Sequence, residues 1–172
     1  MSIEASLAVL NRMQEAGVIG RYAIGGAVAA FFYIEPGTTF DLDIFITWET
    51  GAGGILNLSP IYDYLRASGY EPKREGTMIE GWEVQFLPAS TPLETEALDQ
   101  AVEIKLGNVS THAFTPEHLF AISLQTGRPK DFARILTFLQ EGQIDEMLLI
   151  EILNRHHLQT KWDAFKTRFL TK

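Results

Sequence analysis

The sequence predicts an α+β protein in two successive parts, an α/β unit over residues 1–114 and a helical unit over residues 115–172. Three observations predict it. Phe40, Leu42, Ile44 and Ile46 alternate with Asp41, Asp43, Phe45 and Thr47, the period-two pattern of a strand with one buried face. Tyr22-Ala23-Ile24 runs into Gly25-Gly26 and then the small-residue stretch from Ala27 to Phe32, which reads as strand, tight turn and helix. Beyond Phe114 only helical segments are predicted, and no Gly/Ser/Pro-rich linker separates the two parts, so they are expected to pack together.

The elements follow in order. Ile3, Leu7, Leu10 and Met13 recur at helical spacing and are stopped by Gly17. After the strand around residues 40–47 comes a glycine-rich loop over residues 49–54. Ser59-Pro60 opens a helix, with Ser59 as cap and Pro60 at the first helical position, and Gly69 closes it. One strand is expected from Met78 to Leu87, broken by Pro88. Val102 to Leu106 and Val109 to Phe114 pair as a hairpin across Gly107-Asn108. Thr115-Pro116 caps a helix running to Gln125, Arg128-Pro129 opens another ending near Gly142, and two more fill Asp145 to Leu170.

Composition excludes several classes of function. With no cysteine there are no disulfides, thiolate zinc sites or cysteine nucleophiles, and any metal must take oxygen or imidazole ligands. The N-terminus lacks the layout of a signal peptide, and no apolar run approaches the roughly 20 residues of a membrane span. The expectation is a soluble, cytoplasmic protein with no membrane partner. A net charge of −8 argues against tight nonspecific DNA binding, which relies on Lys and Arg displacing counterions. The basic residues are uneven, however. Arg128, Lys130, Arg134, Arg155, Lys161, Lys166, Arg168 and Lys172 fall in one stretch that can meet a phosphate locally.

Chemistry concentrates on two motifs. Residues i and i+2 of a strand project from one face roughly 6 to 7 Å apart, so Asp41 and Asp43 present their carboxylates on the same side. Two such acids repel unless a cation or donor relieves them, and an all-oxygen set suits Mg²⁺ or Mn²⁺. The bland alternative is the wet face of an edge strand. Upstream, Gly25-Gly26 sits where a bare backbone and a helix N-terminus can approach a phosphate, or where a turn simply packs tightly. In this order, a phosphate cradle, a short helix and a paired-carboxylate strand make the layout that holds a nucleoside triphosphate and metal for in-line phosphoryl attack.

Ile24-Gly25-Gly26 and Asp41-Leu42-Asp43-Ile44 resemble the signature of the DNA polymerase β-like nucleotidyltransferases. Pro116-Glu117-His118-Leu119 and Gly127-Arg128-Pro129-Lys130-Asp131, with the helices after them, resemble the branch containing AbiEii-type toxins. The resemblance implies a nucleotidyltransferase-like fold: a small mixed sheet flanked by helices, with a C-terminal helical bundle packed on it. It implies transfer of a nucleotide monophosphate from an NTP to an RNA such as tRNA, a protein or a small molecule. Gly25 and Gly26 would take the triphosphate, Asp41 and Asp43 the metals, and an antitoxin is an implied partner. The family adds a third acid from a later strand. Here it falls at Gln85, an amide that cannot serve as an effective base, unless Glu83 two residues earlier replaces it. The toxin-like branch often carries a lysine where this chain has Ser123, and Arg128 and Lys130 are the candidate substitutes.

The remaining candidates are weaker. His112, His118, His156 and His157 show no metal-binding spacing, and no serine lies in a nucleophile elbow. Trp48, Trp82 and Trp162 read as packing residues, with Trp82 also placed to stack on a base. The alternative to an active transferase is a scaffold with a degraded centre that binds nucleotide or regulates, motivated by Gln85 and Ser123. A third reading makes the helical half an interaction module.

Overall fold

The computed structural model describes residues 2–39, 41–47, 57–73, 76–141 and 144–171, so the expectations at Phe40, Trp48, the loop 49–54, Gly142 and Lys172 lie outside the described residues. Among them, helix α1 (Ile3–Glu15), strand β1 (Tyr22–Ile24), the short helix α2 (Gly26–Ala30) and strand β2 (Asp41–Ile46) follow the order the sequence predicts. Helix α3 (Ser59–Ala67) differs in its cap. Ser59 is already helical, and the Asn57 Oδ1 accepts from its amide at 3.0 Å.

The single strand expected from Met78 to Leu87 is two strands, β3 (Thr77–Ile79) and β4 (Trp82–Pro88). Glu80 and Gly81, both at positive φ (51° and 94°), make the reversal between them. Two successive left-handed residues match the twist of a tight hairpin. A helix that the apolar-periodicity reading passes over follows: α4 (Pro92–Asp99), opened by a full capping box between Thr91 and Glu94. The Thr-x-x-Glu spacing was its sequence signal. The hairpin β5 (Val102–Leu106) and β6 (Val109–Ala113) forms as predicted, followed by α5 (Pro116–Thr126), α6 (Pro129–Glu141), α7 (Glu146–Arg155) and α8 (Gln159–Phe169).

The six strands form one mixed sheet in the order β3-β4-β2-β1-β6-β5. β2 lies inside it, antiparallel to β1 and parallel to β4. Leu42, Ile44 and Ile46 point to the face covered by α1. Tyr22, opposite Ile46, accepts no space from solvent there and donates its hydroxyl to Asn11 of α1 at 2.6 Å. The other face of β2 is covered too. Phe45, expected on the wetter side, is buried against Phe114, 4.7 Å between ring centres. The reason is that Phe114, at the junction of β6 and α5, lies over it, with α2 also packed on β2 and against α5. No helix among the described residues is long and apolar enough to cross a membrane.

A polar clamp ties α4, α5 and α7 together. The Glu96 carboxylate accepts both forks of Arg155 (2.9 and 2.7 Å) and lies 2.7 Å from His156 Nε2 and 3.2 Å from the buried His118 Nε2. Nearby, the buried Glu117 accepts from the backbone amide of Asp145, fixing the start of α7. The Arg155 guanidinium, with both histidines, holds the Glu96 carboxyl down at about 2 against an ordinary 4.5. Its folded-state pKa is depressed, so its stabilisation is full above pH 4.5 and is lost as pH falls toward 2. Urea unfolding at a series of pH values is expected to show Glu96→Gln less stable than wild type at pH 7, with the gap narrowing across that window. A gap that stays constant from pH 7 to 2.5 would contradict the clamp.

Candidate active site

The site begins with strand parity. Asp41, Asp43 and Phe45 project from one face of β2, and the parallel register sets Glu83 beside Asp41, Gln85 beside Asp43 and Leu87 beside Phe45. Side chains paired across a ladder share a face, so all of these border the same side of the sheet. Asp41 is exposed at the strand's start, and Asp43 is half-buried one pleat further in.

Gly25 and Gly26 are fitted to this strand. The Gly25 amide donates to the Asp43 carbonyl at 2.9 Å, continuing the β1–β2 ladder by one residue. A Cβ on Gly25 would stand 2.5 Å from the Phe45 ring. Gly26 opens α2 at φ +60°, and a Cβ there would overlap the Asp43 carboxylate. Glycine is required twice over at Gly26, for its left-handed backbone and for the carboxylate lying against it.

A cavity of about 300 Å³ opens over this unit, with Gly26, Asp43 and Gln85 on the sheet side and Ser123, Arg128 and Arg134 on the helical side. The helical wall is held by Asp131, whose side chain is 1% exposed. Asp131 accepts from Arg128 Nε at 2.7 Å, Arg128 Nη2 at 3.2 Å and the Arg128 amide, and lies 3.5 Å from Arg134 Nη1. Arg134 also donates to the Ser123 hydroxyl at 3.3 Å.

The electrostatics are those of an acid pair short of positive charge. Burial, then the charge of Asp41, raises the Asp43 carboxyl, while Lys130, Arg134 and Arg128 pull it the other way without cancelling the rise. Hard carboxylate oxygens in that condition fit a divalent cation. Mg²⁺ is commonly held by one or two carboxylates with water and substrate phosphates supplying the rest. That matters here because, among the described residues, no group of three His, Asp or Glu side chains is close enough to hold a metal.

The structure thus brings together Asp41, Asp43, Gly25, Gly26 and Arg128. Lys130 lies on the exposed first turn of α6, within electrostatic reach of Asp43. Glu83 stands next to Asp41 in the ladder, with its side chain against Gly76, whereas Gln85 lines the cavity. Read alone, the sequence assigns Arg134 no role beyond membership of the basic stretch and Asp131 none beyond the motif over residues 127–131. The available signal was the i,i+3 spacing of Asp131 and Arg134 on the face that carries Ile135 and Phe138 inward.

No protein-family model and no curated protein matches the chain in sequence. Solved structures are similar to it in fold. An antigenic nucleotidyltransferase-like protein from Paracoccidioides brasiliensis superposes with a TM-score of 0.63 at 14% identity, over 96% of this chain and 88% of that one. The antibiotic-resistance factor ANT(2'')-Ia, solved in solution, matches with a TM-score of 0.48 at 13% identity over 97% and 93% of the two chains. The chain has a nucleotidyltransferase-like fold, a mixed sheet with a helical C-terminal region.

A raised Asp43 pKa means that the folded state holds this proton more tightly than the unfolded state. The resulting stability is full below pH 3.8 and is lost as pH rises through the raised value. Asp43→Asn is therefore expected to raise the Tm of the ligand-free protein at pH 7, with no gain below pH 3.8. A lower Tm at pH 7 would show that Asp43 is not under electrostatic strain. Gly26→Ala is expected to unfold more easily than wild type by about 1 to 3 kcal/mol in urea, because it combines backbone strain with displacement of Asp43.

Proposed function

We propose that the protein is a metal-dependent nucleotidyltransferase that moves a nucleotide monophosphate from an NTP to an acceptor, with release of pyrophosphate. The observation that carries this reading is the packing of the Asp43 carboxylate directly on Gly26, on the wall of the cavity that Arg128 also lines. It supports the reading because Gly26 and Asp43, one from each half of the motif, border the same cavity.

In this reading Asp41 and Asp43 hold Mg²⁺ or Mn²⁺, which supplies charge neutralisation of the triphosphate when bound. Gly25 and Gly26 are assigned to the triphosphate end of the ligand, Gly26 on the cavity wall beside Asp43 and Gly25 packed behind it on Phe45. Arg128, fixed by Asp131, and Lys130 add positive charge on the opposite wall. The acceptor's hydroxyl oxygen attacks the α-phosphorus as its proton passes to a carboxylate of the site, the bond to the bridging oxygen breaks, and pyrophosphate leaves with that electron pair. Glu83 is assigned as the third acid, entering from beside Asp41. The domains are residues 1–114, carrying the acids, and residues 115–172, supplying the cationic wall. An AbiEii-type toxin role, with tRNA or a protein as acceptor, an antitoxin as partner and a cytoplasmic location, belongs to the same reading.

One observation favours a second reading. Gln85, not an acid, faces the cavity beside Asp43, which suits a nucleotide-binding scaffold that does not catalyse. Purified protein incubated with each labelled NTP and Mg²⁺ or Mn²⁺ in cell extract tests both. Wild type is expected to label an acceptor and Asp43→Ala to lose at least about a hundredfold of that activity. Nucleotide binding without any labelling would favour the scaffold, and no metal–nucleotide binding would refute both.

A further inference from the structure

Three cations lie within electrostatic reach of Asp43, and they differ in how they are held. Lys130 is exposed on the outer turn of α6. Arg128 keeps 56% of its side-chain surface and spends Nε and Nη2 on Asp131. Arg134 keeps 14% and lines the cavity with Gly26, Asp43 and Gln85. Its two polar contacts, the Ser123 hydroxyl at 3.3 Å and Asp131 at 3.5 Å, both fall on Nη1.

A guanidinium carries five N–H donors in a fixed plane. Among the described residues no buried side-chain nitrogen lacks a partner, so the unengaged Nε and Nη2 of Arg134 lie against solvent. Asp131 is largely committed to Arg128, from which it accepts three hydrogen bonds, so it neutralises Arg134 only in part. A largely buried arginine with a free fork, facing a cavity and countered by Asp131 and by Asp43 across that cavity, is an arrangement that can receive paired nonbridging phosphate oxygens.

Resting on the nucleotidyltransferase reading, we infer that Arg134 is the fixed cation that grips the polyphosphate of the nucleotide, with Asp131 and Ser123 as its positioning residues. A role for Arg134 as mere counter-ion to Asp131 accounts for less, because Asp131 already has Arg128. The assignment also gives Ser123 a function. Its small buried side chain leaves room for a guanidinium arriving from α6 and accepts one of its protons.

The test uses the full chain with inorganic triphosphate as probe, titrated calorimetrically in Mn²⁺, and with Mn²⁺ binding alone followed by electron paramagnetic resonance. Arg134→Met is expected to weaken triphosphate binding by at least about tenfold, the loss of a charge-assisted pair, while Mn²⁺ binding is retained or tightened. Arg134→Lys, which keeps the charge and the fold but not the fork, is expected to weaken it by about threefold to tenfold. Ser123→Ala should lower triphosphate affinity by a smaller factor without moving Mn²⁺ affinity. Wild-type affinity in Arg134→Met overturns the inference, and if that variant fails to fold, wild-type affinity in Arg134→Lys does so. A wild-type protein that binds neither triphosphate nor nucleotide refutes the proposed function itself, a distinct result.

Discussion

The contact on which the rest of the site depends is the Asp43 carboxylate resting on Gly26. It joins a side chain from the interior of the sheet to the backbone at the start of a helix, at a spacing that no residue with a Cβ permits. Because the Gly25 amide also bonds the Asp43 carbonyl, the acid is located through both its main chain and its side chain. The cavity, the displaced pKa and the cationic wall are all arranged around that point.

The packing behind the acids keeps them there. A one-residue slip of β2 would turn Asp41 and Asp43 into the core and expose Leu42, Ile44 and Ile46, all now buried. At roughly 1.5 to 3 kcal/mol for each such side chain, the slip forfeits a sum comparable to the whole stability of a domain, about 5 to 15 kcal/mol. Parity is therefore fixed by hydrophobic burial, and the chemistry is carried on the side it leaves over. Asp43 then works against the fold, as a charge whose ionised form is disfavoured until a cation arrives. Function and stability pull in opposite directions at that residue.

Much of this was legible in the sequence because it is local. Alternation fixed the face of Asp41 and Asp43, and the strand–turn–helix pattern located Gly25 and Gly26. The same was true of most of the helices, where caps such as Thr115 and Asp145 act within one turn. What was not legible depended on distant partners. Phe45 looked like a residue of the wetter face because Phe114, the ring that covers it, comes some seventy residues later. The reversal at Glu80-Gly81 lacked the usual Asn-Gly signal, so two strands read as one. Arg134 was one of eight basic residues in a stretch, and only the fold shows that it faces the cavity while Lys130 faces solvent.

The helical region is also more than a cover. Through Asp131 it delivers Arg128 and Arg134 to the sheet-borne acids, through Glu96 it is joined to α4, and Glu117 ties α5 to the start of α7 within it. The helical region is thus held to α4 by the Glu96 contacts with His118, Arg155 and His156 as well as by apolar packing. The most direct measurement is anomalous scattering from Mn²⁺ in crystals grown with a nonhydrolysable triphosphate. The expected result is a Mn²⁺ peak at the Asp41 and Asp43 carboxylates, with phosphate density between Gly26 and Arg134. A structure with triphosphate bound elsewhere, or with no Mn²⁺ at the acid pair, would contradict it.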